Sequence, residues 1–484
     1  MRIDVNPEVL LYRRTKIVAT LGPSSSDPRV IAELVRAGVD VFRLNFSHGT
    51  HDEHREIYER VRAATAEAAP ATAVLADLCG PKIRVGSLAS GSITLVDGDE
   101  VTVTTRAVEG GPGLVPTQYE ALADDVRAGD RILLDDGNLE LRVEGVAGSE
   151  IACRVVTGGV LKSRKGMNLP GVGVSAPALT AKDRRDAAFA LALGVDFLAL
   201  SFVRRGADVL ALRELVDGAG ARAAIIAKIE KPEALEDIDS IVDAADGLMV
   251  ARGDLGVELP PQAVPLAQDQ LVDLGRQRGK PVIVATQMLE SMIEHPRPTR
   301  AEVSDVANAV RSGADAVMLS GETAAGAYPV KTVETMDDVI RRTEQYLWSR
   351  RAFVSSRRPE AVATPIPVED ALAISSAQLS RDLRVRAILV LSTSGRSVAV
   401  VSSARPLAPI VAVLHDAAAS RRANLIWGSI PLAIAGGALE DPQALARRLL
   451  ADLGLAETGQ AFLVVRGFSP DSQKSFPSIS IGRV

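Results

Sequence analysis

The sequence predicts an α/β protein built on a (β/α)8 barrel, the TIM-barrel architecture. Eight short apolar runs between Lys16 and about Tyr346 alternate with segments whose apolar residues recur at helical spacing. Polar residues stand at the carboxyl ends of these runs, where (β/α)8 barrels place their active sites. A chain of 484 residues is also long enough for two or three domains.

The barrel pattern is interrupted once and followed by a second unit. We expect residues 1–84 and 166–346 to form the barrel. Between Val85 and Lys165, short alternating segments separated by Gly, Asp and Asn predict an inserted β cap domain, a small β barrel. Residues 347–365 are polar, basic and proline-bearing, which is typical of a connector. Residues 366–484 are expected to form a C-terminal α/β domain.

Composition excludes several classes of partner. The net charge is −6 and no long basic run is present, which argues against nucleic acid or an anionic membrane as the principal partner. Cys79 and Cys153 have no metal-ligand spacing, and so few thiols indicate a reducing compartment. No apolar run reaches the ~18 residues of a membrane helix, and no signal peptide is evident, so we expect a cytoplasmic protein.

The first two strands already place polar groups where apolar ones are expected. KIVATLG is predicted as the first strand, and Asp27 is expected to cap the amphipathic helix PRVIAELVRAG. VDVFRLN is the second strand. At its end Arg43, Asn45 and Ser47 share one parity and therefore one side of the strand, and His48 follows directly.

Later strands end in the same way. AVLADL precedes Cys-Gly-Pro-Lys-Ile-Arg, and after the insertion come DFLALSF, AAIIAKIE, GLMVARGD, PVIVATQ and DAVMLSGE. A structural role is the ready alternative for any single polar residue, but clustering at one barrel mouth favours an active site. The strand ends contribute Arg43, Asn45, Ser47, Asp77, Lys228, Glu230, Asp254, Thr286 and Glu322.

The chemical centre is predicted in AAIIAKIEKPEALEDIDSIVDAADGLMVARGDLG. Strand periodicity puts Lys228 and Glu230 on one side, and if Gly247–Asp254 is also a strand it pairs Arg252 with Asp254. The intervening EALEDIDSIVDAA is predicted as one helix. Two carboxylates and a lysine suit a divalent cation and an anionic substrate. The alternative is a structural ion pair that caps buried strands.

The C-terminal region is predicted as helix EDALAISSAQLSRDLR, strand RAILVLS, helix GRSVAVVSSARP, strand PIVAVLH, helices ASRRANLIWG and DPQALARRLLADLG, and strands AFLVVRG and SISIGRV. A hydroxyl-rich loop joins its first strand to a helix start. Hydroxyls and free backbone N–H groups there, with Arg396 nearby, are typical of an anion site, whereas an ordinary Ser/Thr helix cap is the alternative. The loop comprises Ser392, Thr393, Ser394, Gly395, Arg396 and Ser397.

From about Thr15 to the C-terminus the chain closely resembles pyruvate kinases. The resemblance rests on TKIVATLGPSS, FRLNFSHGTHDEH, GPKIRVG, AKIEKPEA, MVARGDLGVE and VIVATQMLESMIEHPRPTRAEVSDVANAV, in this order. It implies transfer of a phosphoryl group from phosphoenolpyruvate to ADP in glycolysis, with Mg2+ (or Mn2+) and usually K+. It also implies a mobile β cap, a C-terminal site for a phosphorylated effector, and a homotetramer.

The resemblance assigns roles to the residues at the barrel mouth. Glu230 and Asp254 match the Mg2+ ligands. Lys228 would stabilise the transferring phosphoryl group, because a fixed ammonium in a dry site attracts the charge of its oxygens, and Arg43 would hold the phosphate from the other side.

Further matches concern the substrate carboxylate and the nucleotide. Gly253 would offer its backbone N–H to the substrate carboxylate, and Thr286 would lie beside the enolate carbon. Arg84 and Lys165 would stand at the two hinges of the cap, so that its closure organises the nucleotide. The residues that match ATP and ADP contacts are Asn45, His48, Arg84 and Lys165.

Lys82 bears on the monovalent cation, because K+-requiring members of the family usually carry Glu there. An ammonium would replace the ion's charge, and a second cation ~4 Å away would be repelled by about 4 kcal/mol. K+ is therefore expected not to be required; the alternative is that Lys82 points to solvent and K+ still binds. The matching K+ ligands are Asn45, Ser47, Asp77 and the Leu78 carbonyl.

Two other functions remain open on the sequence alone. A lyase or aldolase on a related Mg2+-dependent, pyruvate-binding barrel would share Glu230 and Asp254 but would not need Arg84, Lys165 or the cap. A non-catalytic regulatory relative would be free to lose Lys228 or Glu230, and this chain has both. Cys79 departs from the family, which usually has Gln or Lys there.

Overall fold

The computed structural model describes residues 13–66, 69–350, 366–434, 441–468 and 475–484. Its strands, in chain order, are β1 Lys16–Thr20, β2 Val41–Asn45, β3 Ala73–Asp77, β4 Ser92–Leu95, β5 Glu100–Thr104, β6 Leu114–Pro116, β7 Arg131–Leu134, β8 Leu139–Ala147, β9 Glu150–Thr157, β10 Gly159–Lys162, β11 Met167–Asn168, β12 Phe197–Leu200, β13 Ala224–Ile229, β14 Gly247–Ala251, β15 Val282–Ala285, β16 Ala316–Leu319, β17 Ile388–Leu391, β18 Ile410–Leu414, β19 Ser429–Ala433, β20 Ala461–Arg466 and β21 Ser478–Arg483.

The helices follow the strands in the expected alternation. They are α1 Pro28–Ala37, α2 His51–Thr65, α3 Leu122–Asp125, α4 Ala181–Leu193, α5 Gly206–Gly218, α6 Pro232–Glu236, α7 Ile238–Ala244, α8 Arg252–Glu258, α9 Val264–Gln277, α10 Arg300–Ser312, α11 Gly321–Ala324, α12 Pro329–Ser349, α13 Val368–Asp382, α14 Arg396–Ser403, α15 Ala417–Ala423 and α16 Pro442–Asp452. Among the described residues, none of these helices is long and apolar enough to cross a membrane.

Eight parallel strands close into a barrel in the order β1-β16-β15-β14-β13-β12-β3-β2, which confirms the predicted fold class. Both faces of each strand are buried, and this explains why the strands read as continuous apolar runs. Ile17 and Phe42 point outward to the helices, whereas Val18, Leu75 and Met249 fill the interior. Asp27 caps α1 as predicted and accepts the Arg29 N–H at 2.8 Å.

The inserted region forms two sheets. A six-stranded sheet has the order β11-β7-β8-β9-β5-β6, and β10 pairs with β4 in a two-stranded sheet. The pairs are antiparallel except β5 with β6, which run parallel, and β11 extends the sheet beyond Lys165. Its own apolar core includes Val103, Ile132 and Leu141.

The C-terminal region is a five-stranded sheet in the order β19-β18-β17-β20-β21, in which only β21 runs antiparallel. The prediction missed β19 and extended the preceding helix to Gly428, whereas α15 ends at Ala423. Pro431 lies within β19 and weakens its strand pattern; the position tolerates proline because β19 is an edge strand.

Two further predictions were wrong in detail. The run EALEDIDSIVDAA forms two helices, α6 and α7, which meet at Asp237. The strand predicted over Gly247–Asp254 ends at Ala251, since its last barrel pairing is with Ala285 and no neighbouring strand continues beyond it. Most of the predicted connector, 351–365, lies outside the described residues, and α12 occupies its start.

At the base of the barrel, where the strands begin, four aspartates repeat one arrangement. Asp40, Asp196, Asp246 and Asp315 each precede a strand and accept an N–H from the first or second residue of the adjacent strand, at 2.7–3.0 Å. Each also pairs with a basic side chain. The C-terminal region is attached here, because Arg421 pairs with Asp196 and Arg405 with Asp315.

Candidate active site

Lys228 is the centre of a buried charge cluster at the barrel mouth. Its ammonium lies 3.2 Å from Asp77 Oδ1 and 3.0 Å from Glu230 Oε1, and it donates to Ser201 Oγ at 2.6 Å. Burial alone would lower the pKa of Lys228, but the Asp77 and Glu230 carboxylates outweigh it and raise that pKa. The amine is therefore a fixed positive charge in a site largely shielded from water.

Arg43 lies on the other side of Asp77. Its Nη2 is 2.6 Å from Asp77 Oδ2, and Nη1 donates to Thr20 Oγ1 at 3.0 Å. Burial would raise the pKa of Asp77, but Lys228 and Arg43 lower it overall. The strand ends of β1, β2, β3 and β13 thus bring two cations, Lys228 and Arg43, to one buried carboxylate.

Glu230 and Asp254 come from neighbouring barrel units: Glu230 directly follows β13, and Asp254 lies in the first turn of α8. The Glu230 carboxylate is almost fully buried and accepts the Phe202 N–H at 2.7 Å. Burial, and then the charge of Asp254, raise the pKa of Glu230 despite the opposing effect of Lys228. In the described part of the chain the Asp254 carboxylate has no hydrogen-bond or ion-pair partner, and it lines the cleft.

These two carboxylates suit a divalent cation. No group of three or more His, Cys, Asp or Glu side chains that could enclose a metal occurs among the described residues. Mg2+ is usually held by one or two carboxylates, with substrate oxygens and waters completing its shell. A buried carboxylate whose pKa is raised, beside an unpartnered one, fits that donor set.

Asp254 lies at the start of helix α8 and not on a strand. The predicted pairing of Asp254 with Arg252 is therefore wrong. Both residues lie in the first turn of α8, so their side chains diverge. The Arg252 guanidinium instead reaches Asp305 at 2.6 Å and the Thr286 carbonyl at 2.8 Å. Gly253 donates its N–H to Thr286 Oγ1 at 2.7 Å, so the two predicted substrate-binding groups contact each other.

The predicted nucleotide contacts fall into two places. Asn45 and His48 lie at the end of β2, where Asn45 Oδ1 accepts the Ser47 N–H at 3.1 Å. Arg84 pairs with Gly166 in an isolated bridge, and the Lys165 carbonyl accepts the Val85 N–H at 2.9 Å. The two strands that join the inserted region to the barrel therefore run side by side.

Lys165 is held by the inserted region. Its ammonium lies 2.6 Å from Asp135 Oδ1, and this hydrogen bond raises the pKa of Lys165. Asp135 and Asp136 both have positive φ, 50° and 56°, which non-glycine residues adopt only in tight turns. This turn gives Asp135 to Lys165 and presents Asp136 to the cleft between the inserted sheet and the barrel.

The predicted monovalent-cation ligands are engaged within the chain. Asp77 binds Arg43 and Lys228, and the Leu78 carbonyl accepts the Ser201 hydroxyl at 2.7 Å. Lys82 is exposed and lines the cleft with Asp136 and Asp254; the described residues give its ammonium no ion-pair partner. The role predicted for Lys82 therefore stays a prediction.

The hydroxyl-rich loop lies far along the chain, between β17 and α14. Gly395, with φ 93°, donates its N–H to Ser392 Oγ at 3.0 Å, and Arg396 pairs with Glu369 at 3.0 Å. Thr393 and Ser394 are exposed, whereas Ser397 is buried in the first turn of α14. The loop exposes two hydroxyls at a helix start, while the Gly395 and Arg396 N–H groups bond to Ser392 and Ser394, so the anion site stays a prediction.

Several residues of the site escaped sequence reasoning. Ser201 joins Lys228 to the Leu78 carbonyl, and Thr20 holds Arg43. Both are hydroxyl residues at the end of an apolar strand, which is the signal that could have identified them. The contacts of Arg252 with Asp305 and Thr286 had no such signal, because both partners come from the next barrel unit. Glu322 is one of the residues that the sequence pattern placed at the barrel mouth. Its carboxylate accepts the Ser320 and Leu289 N–H groups and so joins the two loops that carry them.

Comparison with known proteins shows the family of the chain. Residues 12–333 match the family model described as pyruvate kinase, barrel domain, and residues 370–480 match pyruvate kinase, alpha/beta domain. A pyruvate kinase of Geobacillus stearothermophilus is 48% identical over 86% of this chain and 71% of its own length. That of Mycobacterium intracellulare is 43% identical over 98% of this chain and 99% of its own. The chain therefore belongs to the pyruvate kinase family of phosphotransferases.

Proposed function

We propose that this chain transfers the phosphoryl group of phosphoenolpyruvate to ADP and releases pyruvate and ATP. The observation that carries the proposal is the Lys228 ammonium, buried between Asp77 and Glu230 and fixed by Ser201. Phosphoryl transfer passes through a loose transition state whose charge stays on the equatorial oxygens, so catalysis depends on positioning and electrostatics. A rigid cation in a dry site serves this chemistry.

The neighbouring residues take complementary roles in this proposal. Arg43 binds the phosphate from the side opposite Lys228. Glu230 and Asp254 hold a divalent cation, Mg2+ or Mn2+, which when bound neutralises phosphate charge. Gly253 and Thr286, which contact each other at 2.7 Å, bind the carboxylate end of the substrate and lie beside its enolate carbon.

The cap and the nucleotide belong together in the proposal. We place the domain boundaries where the sequence predicts them, with the cap at 85–165 and the C-terminal domain at 366–484. Arg84 and Lys165 then stand at the paired hinge segments, and Asn45 and His48 lie at and just after the end of β2. Closure of the cap would bring Lys165 and Arg84 onto the nucleotide phosphates and exclude water.

The direct test is pyruvate formation, measured with lactate dehydrogenase coupling, from phosphoenolpyruvate, ADP and Mg2+. We expect turnover that requires both ADP and the divalent ion. The matched control omits ADP, because a lyase or aldolase on the same metal site would not depend on it. Pyruvate release that persists without ADP would reject phosphoryl transfer, and binding of phosphoenolpyruvate without any turnover would favour a regulatory relative.

The monovalent cation is a separate proposal: Lys82 supplies its charge and K+ is not required. Activity in a buffer of a large organic cation should change little when K+ is added at constant ionic strength. Lys82→Glu should create K+ dependence, whereas Lys162→Glu, on exposed β10, should not. Activation of the parent by K+ of about tenfold, ~1.4 kcal/mol in free energy, would reject the role of Lys82.

Regulation is proposed at the loop Ser392–Ser397. A sugar phosphate or nucleoside monophosphate bound there would shift the affinity for phosphoenolpyruvate, with a coupling free energy of ~1–3 kcal/mol. Replacing Thr393 and Ser394 with glutamate should abolish activation and leave the unactivated rate unchanged. If no phosphorylated metabolite moves the saturation curve, the loop is only a helix cap.

A homotetramer is the assembly that we expect; sedimentation would measure it.

A further inference from the structure

A second buried ion pair lies beside the proposed metal site and is not explained by the roles assigned so far. The Lys231 ammonium contacts Glu258 Oε1, and the two side chains are 11% and 1% exposed. Asn168 Nδ2 donates to the same oxygen at 3.1 Å. Burying both charges is costly, and a pair of this kind adds little net stability compared with apolar residues of similar volume.

The carboxylate of Glu258 is also incompletely satisfied. Its Oε2 is buried and has no hydrogen-bond partner among the described residues. A buried oxygen left in this state costs roughly 1–3 kcal/mol. We therefore attribute the Lys231–Glu258 pair to a functional requirement on where these residues lie, and not to a gain in stability.

The positions of the two residues suggest that constraint. Lys231 directly follows Glu230, whose carboxylate is held by the Phe202 N–H at the end of the preceding strand. Glu258 is the last residue of α8, and Asp254 lies one turn earlier on the same seven-residue helix. The ion pair therefore links the two backbone segments that carry the proposed metal ligands.

Apart from this link, the polar side-chain and N–H contacts that α8 makes among the described residues lie at its start, and Leu255 is buried in its middle. Arg252 and Gly253 bond to Thr286 and Asp305, which belong to the following barrel unit. The link from Glu258 to Lys231 holds the other end of α8 toward the preceding unit. Without it, the far end of α8 would keep no polar contact and could tilt about the buried Leu255, which would move Asp254 relative to Glu230.

We propose that the Lys231–Glu258 ion pair is a positioning element that sets the spacing between the Glu230 and Asp254 carboxylates, and thereby the affinity for the divalent cation. This inference rests on the proposed function, since it takes those carboxylates as the metal ligands. Residues that orient metal ligands typically contribute about 10–100-fold to metal affinity when they are removed.

The test measures Mn2+ binding by electron paramagnetic resonance, without substrates, so that turnover plays no part. The double variant Lys231→Met/Glu258→Met replaces the pair with apolar side chains of similar volume, which a buried site tolerates. We expect its melting temperature to stay near that of the parent and its Mn2+ dissociation constant to rise about tenfold or more. An unchanged dissociation constant would overturn the inference.

A second variant decides the question if the double variant does not fold. Glu258→Asp keeps the charge but shortens the side chain by one methylene, so α8 must shift to preserve the pair. We expect weaker Mn2+ binding and a higher half-saturating Mg2+ concentration, with kcat at saturating Mg2+ close to that of the parent. Unchanged Mn2+ binding in this variant would overturn the inference in the same way.

The matched control is Arg213→Met. This change breaks the ion pair with Asp246 at the base of the barrel, where β13 and β14 begin. It should lower the melting temperature and leave Mn2+ binding unchanged. Weakened Mn2+ binding in this control would show that any broken pair has the effect and would overturn the positioning role. A parent that binds no Mn2+ would instead reject the metal site of the proposed function.

Discussion

The two ends of the barrel carry acidic and basic side chains but arrange them differently. At the base, each of four aspartates accepts a backbone N–H from the adjacent strand and pairs with a basic side chain. At the mouth, Lys228, Asp77, Glu230 and Arg43 contact mainly one another. The base aspartates are thus bound to the backbone, whereas the mouth charges are bound mainly to side chains and lie beside Asp254, which lines the cleft.

This difference separates structural from functional charge more clearly than residue type does. A carboxylate that caps a strand has its lone pairs occupied by the fold itself, and it has little capacity left for a ligand. Asp254 has no such partner among the described residues, and burial raises the pKa of Glu230. Perturbed and unpartnered groups beside a cleft are typical of functional sites.

The largest effect is expected at the mouth, from Lys228→Met. The methionine keeps the length of the side chain but removes the charge that faces the transferring phosphoryl group. We expect kcat at saturating substrate to fall by about 10³-fold, ~4 kcal/mol, or more. Circular dichroism should show the parent fold, since Arg43 still neutralises Asp77. A kcat near that of the parent would show that Lys228 has no role in the mechanism. The charges at the mouth would then not be functional in the sense that separates them from those at the base.

The next effect is expected at the base, from Asp196→Asn. This change leaves Arg62 and Arg421 without their shared carboxylate and should cost ~3 kcal/mol of stability. The melting temperature should fall, and kcat of the folded protein should not change. Asp239→Asn, which breaks the exposed pair with Arg278, is the control and should shift stability by less than ~1 kcal/mol. Loss of kcat in Asp196→Asn would mean that the base is not purely structural.

The smallest effect is expected from Glu230→Gln, which tests whether the negative charge of Glu230 lowers the stability of the fold. Burial raises the pKa of Glu230, so the folded chain holds this proton more tightly than the unfolded chain does, and the ionised carboxylate costs stability at neutral pH. The variant should therefore melt a few degrees higher than the metal-free parent at pH 7. This gain should shrink as the pH falls toward the ordinary glutamate pKa of 4.5, where the parent carboxyl is protonated as well.

A second measurement on Glu230→Gln is its melting temperature with and without Mg2+. Mg2+ should raise the melting temperature of the parent, because a ligand that binds only the folded state stabilises it. It should not do so for Glu230→Gln. A variant that is less stable than the metal-free parent at neutral pH would contradict the view that Glu230 is retained for function at the expense of stability.

Sequence patterns predicted the mouth better than the base. Lys228, Glu230 and Asp77 stand out because charged residues end apolar runs, and strand parity correctly brought the first two together at 3.0 Å. The same parity argument failed for Arg252 and Asp254, because hydrogen-bond pairing ends at Ala251 and a helix begins. The base aspartates raised no signal, since an aspartate before a strand also suits an ordinary turn.

By itself the sequence determined the barrel, the interruption by a β region, the C-terminal α/β unit and the family, because periodic burial and local motifs are properties of neighbouring residues. Tertiary structure decided which charges meet. Ser201 reaches Lys228, Arg252 reaches Asp305, and Lys231 reaches Glu258 across 27 to 53 positions of sequence. Such contacts depend on the closure of the barrel, which brings separate strand ends within hydrogen-bond distance, and no local pattern encodes them.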